Sequence, residues 1–306
     1  MRILLWHVHG SWTTAFVQGR HDYVIPLVPG RGPDGRGRAA TYDWPAAARE
    51  VPWDRLRDEP IDLVVYQRPH ELELARDWLG RDLPGVYVEH NTPKGDVPET
   101  RHPLAGRDDV PLVHVTYFNE LFWDNGRAPT RVIEHGVPDP GHLYTGELRR
   151  AGVVVNEPVR RTRVAGTDLL PRFAAAAPLD LFGMKVDGLP YGTYEDLPQH
   201  AMHAELARRR VYLHPYRWTS LGLALIEAMT LGMPVVALAA TEAVEAVPPE
   251  AGVVSTRVDV LADALRGFAD DPERAAQAGK AARAAALSRY GLDRFLRDWD
   301  QLLEEV

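Results

Sequence analysis

The sequence lacks cysteine, an apolar run of membrane-spanning length and an excess of positive charge. The absence of cysteine excludes disulfides and thiolate chemistry, and it fits a reducing compartment. A membrane-spanning helix requires ~20 apolar residues, and no run approaches that length. The first ten residues have the pattern of a strand rather than that of a signal peptide. We therefore expect a cytoplasmic protein without a transmembrane segment.

The charge balance is acidic, with 35 Lys and Arg against 43 Asp and Glu and a net charge of −8. Nucleic-acid binding needs a basic face that neutralises phosphates, so nucleic acid is not an expected partner. Segment 29–40 is rich in glycine and arginine, and its composition predicts a mobile loop.

Short runs of branched apolar residues recur along the chain, separated by segments with helical patterns. The runs predicted as strands are 2–8, 23–28, 61–67, 85–90 and 112–117 in the first half and 151–158, 179–183, 211–215, 234–240 and 252–255 in the second. A short strand followed by a turn-rich linker is predicted over 131–141. Because these runs largely lack alternation with polar residues, they are typical of parallel strands covered on both faces. The pattern predicts an α/β protein with two doubly wound domains, 1–140 and 141–285, and a C-terminal helix, 286–306, that crosses back to the first domain.

Segment 214–240 contains one carboxylate, Glu227, in an otherwise apolar run. The pattern predicts a strand, a loop, a helix capped by Ser220 and ending at Gly232, and then a further strand. The N-terminus of such a helix offers free N–H groups to an anion, and Gly222 would let a phosphate approach the backbone. Glu227 lies ~7.5 Å further along the axis, within reach of the ribose of a nucleotide bound there. The alternative is a solvated surface glutamate, which is common on helices.

The spacing of several residues in this segment matches a known signature. These residues are Pro215, Gly222, Glu227, Gly232 and Pro234. In this respect the chain resembles the retaining, nucleotide-sugar-dependent glycosyltransferases of family 4, over 150–295 and more weakly over 1–140. The resemblance implies the GT-B fold, with two Rossmann-like domains and a cleft between them.

The resemblance also implies an activity. The chain would transfer a sugar from a nucleoside diphosphate sugar to an acceptor with retention of anomeric configuration, as a hexosyltransferase-like enzyme. Neither a metal nor another cofactor is implied. The sequence does not identify the base, the sugar, the acceptor or the oligomeric state.

One position departs from the family pattern. Thr219 stands where the family has its first glutamate, which is thought to hold hydroxyls of the donor sugar. Threonine brings one hydroxyl and no charge, so a less polar donor sugar is one consequence. A catalytically inactive nucleotide-sugar-binding partner subunit is an alternative. A nucleotide-sugar epimerase is another, although such an enzyme would need carboxylates near the sugar.

Roles for individual residues follow from the resemblance and from positions after strands. Donor binding is implied for Gly10, Ser11, Arg161, Thr219, Ser220, Gly222, Leu223 and Glu227. Catalytic roles are implied for His90, Arg160 and Arg163, the arginines replacing an arginine–lysine pair that neutralises the leaving diphosphate. Arg68 and His70 follow a strand and are candidates for acceptor binding. The alternatives are solvated arginines and a histidine that only hydrogen-bonds a strand end.

Three pairs of side chains have spacings that could suit a metal ion. They are His7 with His9, His200 with His203, and Asp298 with Asp300. No third ligand is evident for the histidines, and the aspartates lie on a terminal helix beside leucines, so no metal site is expected.

Overall fold

A computed structural model describes all 306 residues, Met1–Val306. The chain forms two compact units, the first from Met1–Gly136 with Leu292–Val306 and the second from Val137–Gly291. The first unit thus ends at Gly136, not at residue 140, and the second continues past residue 285 because one helix runs unbroken to Tyr290. No helix is both long and apolar enough to cross a membrane.

The first unit contains a parallel sheet of seven strands. These strands are β1 (Arg2–Leu5), β2 (Asp22–Leu27), β3 (Ala48–Pro52), β4 (Leu63–Tyr66), β5 (Gly85–Glu89), β6 (Leu112–His114) and β7 (Thr130–Val132). They are ordered β3-β2-β1-β4-β5-β6-β7. The helices are α1 (Gly10–Phe16), α2 (Glu71–Leu79), α3 (Tyr117–Phe122) and, at the end of the chain, α11 (Leu292–Glu305). Short 3₁₀ turns span Pro29–Arg31 and Trp53–Asp58.

The second unit contains a parallel sheet of six strands. They are β8 (Leu148–Val154), β9 (Leu179–Gly183), β10 (Gly192–Glu195), β11 (Arg209–His214), β12 (Val235–Leu238) and β13 (Gly252–Ser255), in the order β10-β9-β8-β11-β12-β13. Its helices are α4 (Pro158–Ala165), α5 (Leu170–Ala174), α6 (Gln199–Leu206), α7 (Leu223–Leu231), α8 (Ala243–Ala246), α9 (Val258–Asp270) and α10 (Pro272–Tyr290). A 3₁₀ turn spans Thr167–Leu169.

The prediction of two doubly wound α/β units is confirmed. Each predicted apolar run contains a strand, but several strands stop early. For example, β1 ends at Leu5 rather than at residue 8, because the chain leaves the sheet before α1. Two edge strands, β3 and β10, were missed. Their residues are largely half-exposed and include polar side chains, so they lack the apolar signal of the central strands.

The strand order reverses direction once in each sheet. The reversal lies between β1 and β4 in the first unit and between β8 and β11 in the second. In doubly wound sheets the crevice outside the carboxyl ends of such a strand pair is the place where ligands bind. In the second unit the segments after this pair lead into α4 and α7, and these two helices therefore border the expected site.

The arginine-rich loop at 29–40 is anchored to the first sheet. Arg31 forms an ion pair with Glu50 of β3 at 2.8 Å. Arg38 donates hydrogen bonds to the carbonyl oxygens of Trp44 and Pro45. The loop that composition predicts to be mobile is thus tied at two points, Arg31 and Arg38.

Close packing of α10 on the end of α7 generates a stability prediction. A Cβ added to Gly279 would lie 2.0 Å from the carbonyl oxygen of Gly232, so Gly279→Ala should lower the free energy of unfolding by about 1–3 kcal/mol. The matched control is Gly267→Ala on α9, where the added Cβ would meet only the flexible end of Arg274. That change should be neutral or stabilising by up to ~1 kcal/mol, because alanine favours a helix. Urea denaturation of both variants tests the difference, and equal stabilities would contradict it.

Candidate functional site

The positive end of α7 lies at the carboxyl edge of the second sheet. After β11 ends at His214, the chain stays non-helical through Gly222, which has φ −67° and ψ 117°, and α7 begins at Leu223. Leu223 is half-exposed, and the first N–H groups of a helix have no acceptor within the helix. The partial positive charge of the helix is therefore available at this edge.

Ser220 does not cap this helix as predicted. The N-cap position is occupied by Gly222, without a side-chain hydrogen bond. Ser220 is buried, and its carbonyl oxygen accepts a hydrogen bond from the backbone N–H of Glu242 at 3.4 Å. Ser220 therefore links the start of α7 to the segment after β12. Thr219 beside it remains half-exposed.

Gly222 packs directly on the ring of His214. A Cβ at position 222 would lie 2.6 Å from Cε1 of that imidazole. His214 is buried, and burial lowers its pKa to about 3, so the ring is neutral at physiological pH. Glycine is thus required by the packing of this ring, a reason that the sequence pattern does not contain.

Glu227 lies in the buried middle of α7 and is 3% exposed, so the alternative of a solvated surface residue is wrong. Its Oε1 accepts a hydrogen bond from Nε2 of Gln199 at 3.0 Å, and its Oε2 lies 3.6 Å from Nε2 of His203. Both partners come from α6. Sequence reasoning missed them, although residues four apart share one helix face.

The arginines of α4 occupy three different environments. The helix is distorted at Thr162, which has φ 19° and ψ −94°. Arg160 is exposed and bonds Glu157, whereas Arg163 is exposed with Asp168 at 3.7 Å. These two predicted catalytic residues therefore already lie near carboxylates.

Arg161 differs from both neighbours. It is half-buried and forms no ion pair with a carboxylate. Its Cζ lies 5.3 Å from the ring centroid of Tyr216, which belongs to the segment between β11 and α7. Of the three predicted arginines, Arg161 is thus the one held beside the approach to α7.

The C-terminal end of α4 packs against the segment between β11 and α7. Gly166 has φ +73°, and a Cβ there would lie 1.9 Å from the carbonyl oxygen of Pro215. The backbone N–H of Arg217 donates to the carbonyl oxygen of Val164 at 3.0 Å, and the Arg217 guanidinium grips Asp168 at 2.6 and 2.8 Å. These contacts set the position of α4 relative to α7.

The tertiary structure also brings a lysine to α4. Nζ of Lys185, which follows β9, lies 2.7 Å from Glu157. The cations of Arg160 and Lys185 lower the pKa of Glu157 to about 2. Sequence reasoning found no lysine near the arginines, because Lys185 is distant along the chain.

In the first unit, three histidines gather at the carboxyl edge of the sheet; we call His9, His90 and His135 the histidine stack. The ring centroids of His9 and His90 lie 4.0 Å apart, and those of His90 and His135 lie 6.5 Å apart. Nε2 of His90 and Nδ1 of His135 are buried without a hydrogen-bond partner. His90 was predicted, and the other two belong to segments after β1 and β7.

Burial keeps the histidine stack neutral. Desolvation lowers the pKa of His9 to about 4 and that of His135 to about 3, and it holds the pKa of His90 well below its usual range. A proton on one ring would repel a proton on the next, which adds to the shift. The stack is therefore uncharged near neutral pH.

A buried acid–imidazole pair supports the segment that carries His90. The backbone N–H of Leu104 donates to Nδ1 of His102 at 3.0 Å, so the other nitrogen, Nε2, carries the proton and donates to Glu89 at 3.1 Å. The second oxygen of Glu89 accepts from the backbone N–H of Asn91 at 2.6 Å. The pair thus fixes the chain on both sides of His90.

Gly10 and Ser11, predicted to bind the donor, are covered by Tyr42. A Cβ at Gly10 would lie 2.7 Å from Cε2 of that ring, and Oγ of Ser11 lies 3.1 Å from the tyrosine hydroxyl. The glycine is therefore explained by packing against an aromatic ring. Donor binding by these two residues stays a prediction.

Arg68 and His70, the candidates for acceptor binding, both contact Asp34 of the arginine-rich loop. The ion pairs measure 3.1 Å for Arg68 and 2.9 Å for His70. Arg68 also donates to Glu71 at 2.6 Å. In this structure the two side chains hold the loop against α2, and acceptor binding stays a prediction.

The residues predicted from sequence thus form separate groups. The structure brings Arg161, Gly222 and Leu223 to one edge of the second sheet, and it buries Glu227 in α7. No group of three or more His, Asp or Glu side chains is arranged to hold a metal ion.

Comparison with known proteins agrees with this arrangement. Residues 193–285 match the family described as glycosyl transferases group 1. No curated protein sequence matches the chain. The matched region contains α7 and the segment before it, but not α4 or the first unit.

Similar solved structures span both units. Sucrose-phosphate synthase from Thermosynechococcus elongatus is 14% identical, with a TM-score of 0.73 over 100% of this chain and 98% of that one. HepE from Anabaena, solved with UDP-glucose, is 14% identical, with a TM-score of 0.69 over 100% of both chains. A glycosyltransferase from Rickettsia africae is 12% identical, with a TM-score of 0.68 over 99% and 98%. The chain has the GT-B fold, and its second unit contains a region that matches a glycosyltransferase family.

The low pKa of His135 predicts a pH-dependent stability. The folded pKa of about 3 lies below the unfolded value of 6.5, so between these values only the unfolded chain binds the proton. The stabilisation is complete above pH 6.5 and is lost as the pH falls, by ~1.4 kcal/mol per pH unit for each such histidine. His135→Asn should make the free energy of unfolding less dependent on pH between 7 and 5.

Urea denaturation followed by tryptophan emission measures this dependence, because every tryptophan except Trp218 lies in the first unit. The control is His70→Asn, which removes a half-exposed imidazole from the same unit. A pH slope that is the same for His135→Asn and the wild type would contradict the prediction.

Proposed function

We propose that the chain transfers a sugar from a nucleoside diphosphate sugar to an acceptor with retention of anomeric configuration, and that the second unit binds the donor. One observation carries the proposal. The open end of α7 and the unneutralised guanidinium of Arg161 flank the pair β8 and β11, where the strand order reverses. Two positive groups at this place suit a diphosphate.

The diphosphate is proposed to bind the N–H groups at the start of α7 and the side chain of Arg161. A guanidinium binds phosphate oxygens through two parallel hydrogen bonds, and a helix N-terminus adds partial positive charge. Arg160 and Arg163 are less suited to this role, because each lies near a carboxylate that offsets its charge. Arg161 is therefore proposed as the main side chain that stabilises the leaving diphosphate.

Glu227 is proposed to bind the ribose. It is buried one to two turns into α7, and a carboxylate that accepts hydrogen bonds from two vicinal hydroxyls is an established way to hold ribose. Gln199 now occupies Oε1, so ribose binding at that oxygen would exchange one hydrogen bond for another. The buried carboxylate loses little by this exchange, because it stays hydrogen-bonded.

The sugar is proposed to lie beside Thr219, which is half-exposed just before α7. A hydroxyl in place of a carboxylate suits a sugar with fewer hydroxyls, such as a deoxy sugar. UDP and glucose are bound by similar solved structures, including HepE, which supports a nucleotide-sugar donor of this general class.

Catalysis is proposed to be mainly electrostatic. Departure of the diphosphate leaves an oxocarbenium-like sugar, and preorganised N–H groups and a guanidinium stabilise the charge that develops on the leaving group. In the first unit, His90 is proposed to serve the reacting sugar or the acceptor. Its imidazole is neutral, and its buried Nε2 has no partner in the protein, so a hydroxyl that reached this nitrogen would pair with it as donor or acceptor according to the tautomer.

The proposal predicts binding and turnover of a nucleotide sugar. UDP-, GDP-, ADP- and dTDP-sugars are screened by thermal shift, and at least one should raise the melting temperature. NMR should then show slow hydrolysis in which the first product keeps the anomeric configuration of the donor, in the presence of EDTA. No response to any nucleotide would overturn the proposal. Stabilisation without turnover would favour a binding subunit, and an inverted product would exclude retention.

The role of Glu227 predicts a preference for ribose. Wild-type protein should bind its preferred ribonucleoside diphosphate about 10–100-fold more tightly than the 2′-deoxy form of the same nucleotide, because a hydroxyl bonded to a carboxylate contributes ~1.5–3 kcal/mol. Glu227→Gln should reduce this ratio towards one, whereas Glu250→Gln, at an exposed glutamate, should leave it unchanged. Titration calorimetry measures the ratio. A Glu227→Gln variant that is less stable but keeps the wild-type ratio would show that the carboxylate only joins α7 to α6.

A further inference from the structure

A column of stacked groups runs from the start of α7 to Arg161. The imidazole of His214 lies against the backbone of Gly222, at 2.6 Å from the position of an added Cβ. The next ring is that of Tyr216, stacked on His214 with centroids 4.8 Å apart and planes at 29°. The guanidinium of Arg161 follows, 5.3 Å from the centre of the tyrosine ring.

The tyrosine at the centre of this column is held from several sides. Its hydroxyl donates to the carbonyl oxygen of Val154 at the end of β8, at 3.4 Å. The hydroxyl also interacts with the Asn156 backbone and the Arg161 side chain. Tyr216 therefore joins the ends of the two central strands, β8 and β11, and holds a cation 5.3 Å from its ring centroid.

The two rings of the column hold Arg161 in place without neutralising its charge. His214 and Tyr216 are uncharged, so neither ring neutralises the guanidinium. Arg161 forms no ion pair, and a half-buried cation without an anion is costly. A cation–π contact offsets part of this cost, and the donors of the guanidinium that do not bond the Tyr216 hydroxyl stay available.

We propose that Tyr216 and His214 are positioning residues that hold Arg161 at a set distance from the N–H groups of α7, so that both bind one diphosphate. The inference rests on the proposed function and deepens it, since it identifies what sets the phosphate site. Tyr216 acts through Arg161 and not by contact with the nucleoside. Its loss should therefore weaken phosphate binding while sparing the nucleoside.

Binding constants for UDP, GDP, ADP and dTDP, and for the four matching nucleosides, test the inference by calorimetry. Arg161→Gln should lower the affinity for the nucleoside diphosphate that wild type binds by about tenfold, as expected for the loss of one charge-assisted contact. Tyr216→Leu should have a similar effect. The double variant should be no weaker than either single variant, because the two residues act as one unit. Affinity for the nucleoside should stay within about twofold of wild type.

Two further variants distinguish the contribution of the Tyr216 ring to binding from that of its hydroxyl. Tyr216→Phe keeps the stack and the cation–π contact, so it should lose only about threefold in affinity for the diphosphate. The control is Tyr144→Phe, which removes a hydroxyl bonded to the carbonyl oxygen of Arg210 at the start of β11, and it should have no effect. Circular dichroism confirms that each variant is folded.

The outcomes distinguish the two proposals. If wild-type protein binds none of the four nucleoside diphosphates, the proposed function fails. Suppose that wild type binds and that Arg161→Gln weakens binding. The positioning role is then overturned if Tyr216→Leu leaves the affinity for the diphosphate unchanged. It is also overturned if the double variant loses the product of the two single fold-changes in affinity. Equal weakening of nucleoside and diphosphate by Tyr216→Leu would also overturn it, because that result indicates a general loss of structure.

Discussion

The contact between the His214 ring and the backbone of Gly222 determines where the positive end of α7 lies. The ring fills the space that any side chain at position 222 would need, and the helix starts at the next residue, Leu223. Because the first N–H groups of a helix lack internal acceptors, the position of this start is also the position of an anion site. Tyr216 stacks on the same His214 ring, and Arg161 in turn packs against Tyr216.

Neutral imidazoles are a common feature of the carboxyl edges of both sheets. His214 in one unit and the histidine stack in the other have their pKa lowered by burial, and each ring stays uncharged near neutral pH. Such rings supply polar surface without competing for an anion or repelling one. In the second unit, the positive potential therefore comes from backbone N–H groups and arginine, whose charge does not change with pH.

Thr219 is the main chemical departure from the pattern that the rest of the segment follows. Replacing a carboxylate by a hydroxyl removes a charge beside the proposed sugar site, while the proposed diphosphate and ribose contacts remain. The residues proposed to bind the nucleotide are thus different from Thr219, which is proposed to select the sugar. Under the proposed function, donor sugar preference could therefore change at one residue without disturbing the fold around α7.

Apolar periodicity and the positions of glycine and proline are local signals, so they were enough to predict the alternation of strands and helices, the division into two units and the register of Gly222 and Glu227. Which arginine lacks a carboxylate could not be predicted, since all three lie within a few residues of Glu157 or Asp168 along the chain and the folded geometry selects the pairs. The tertiary structure also decided that Glu227 faces α6 and that His9 and His135 join His90. Strand order brings these residues together, and strand order is a property of long-range pairing that no local pattern records.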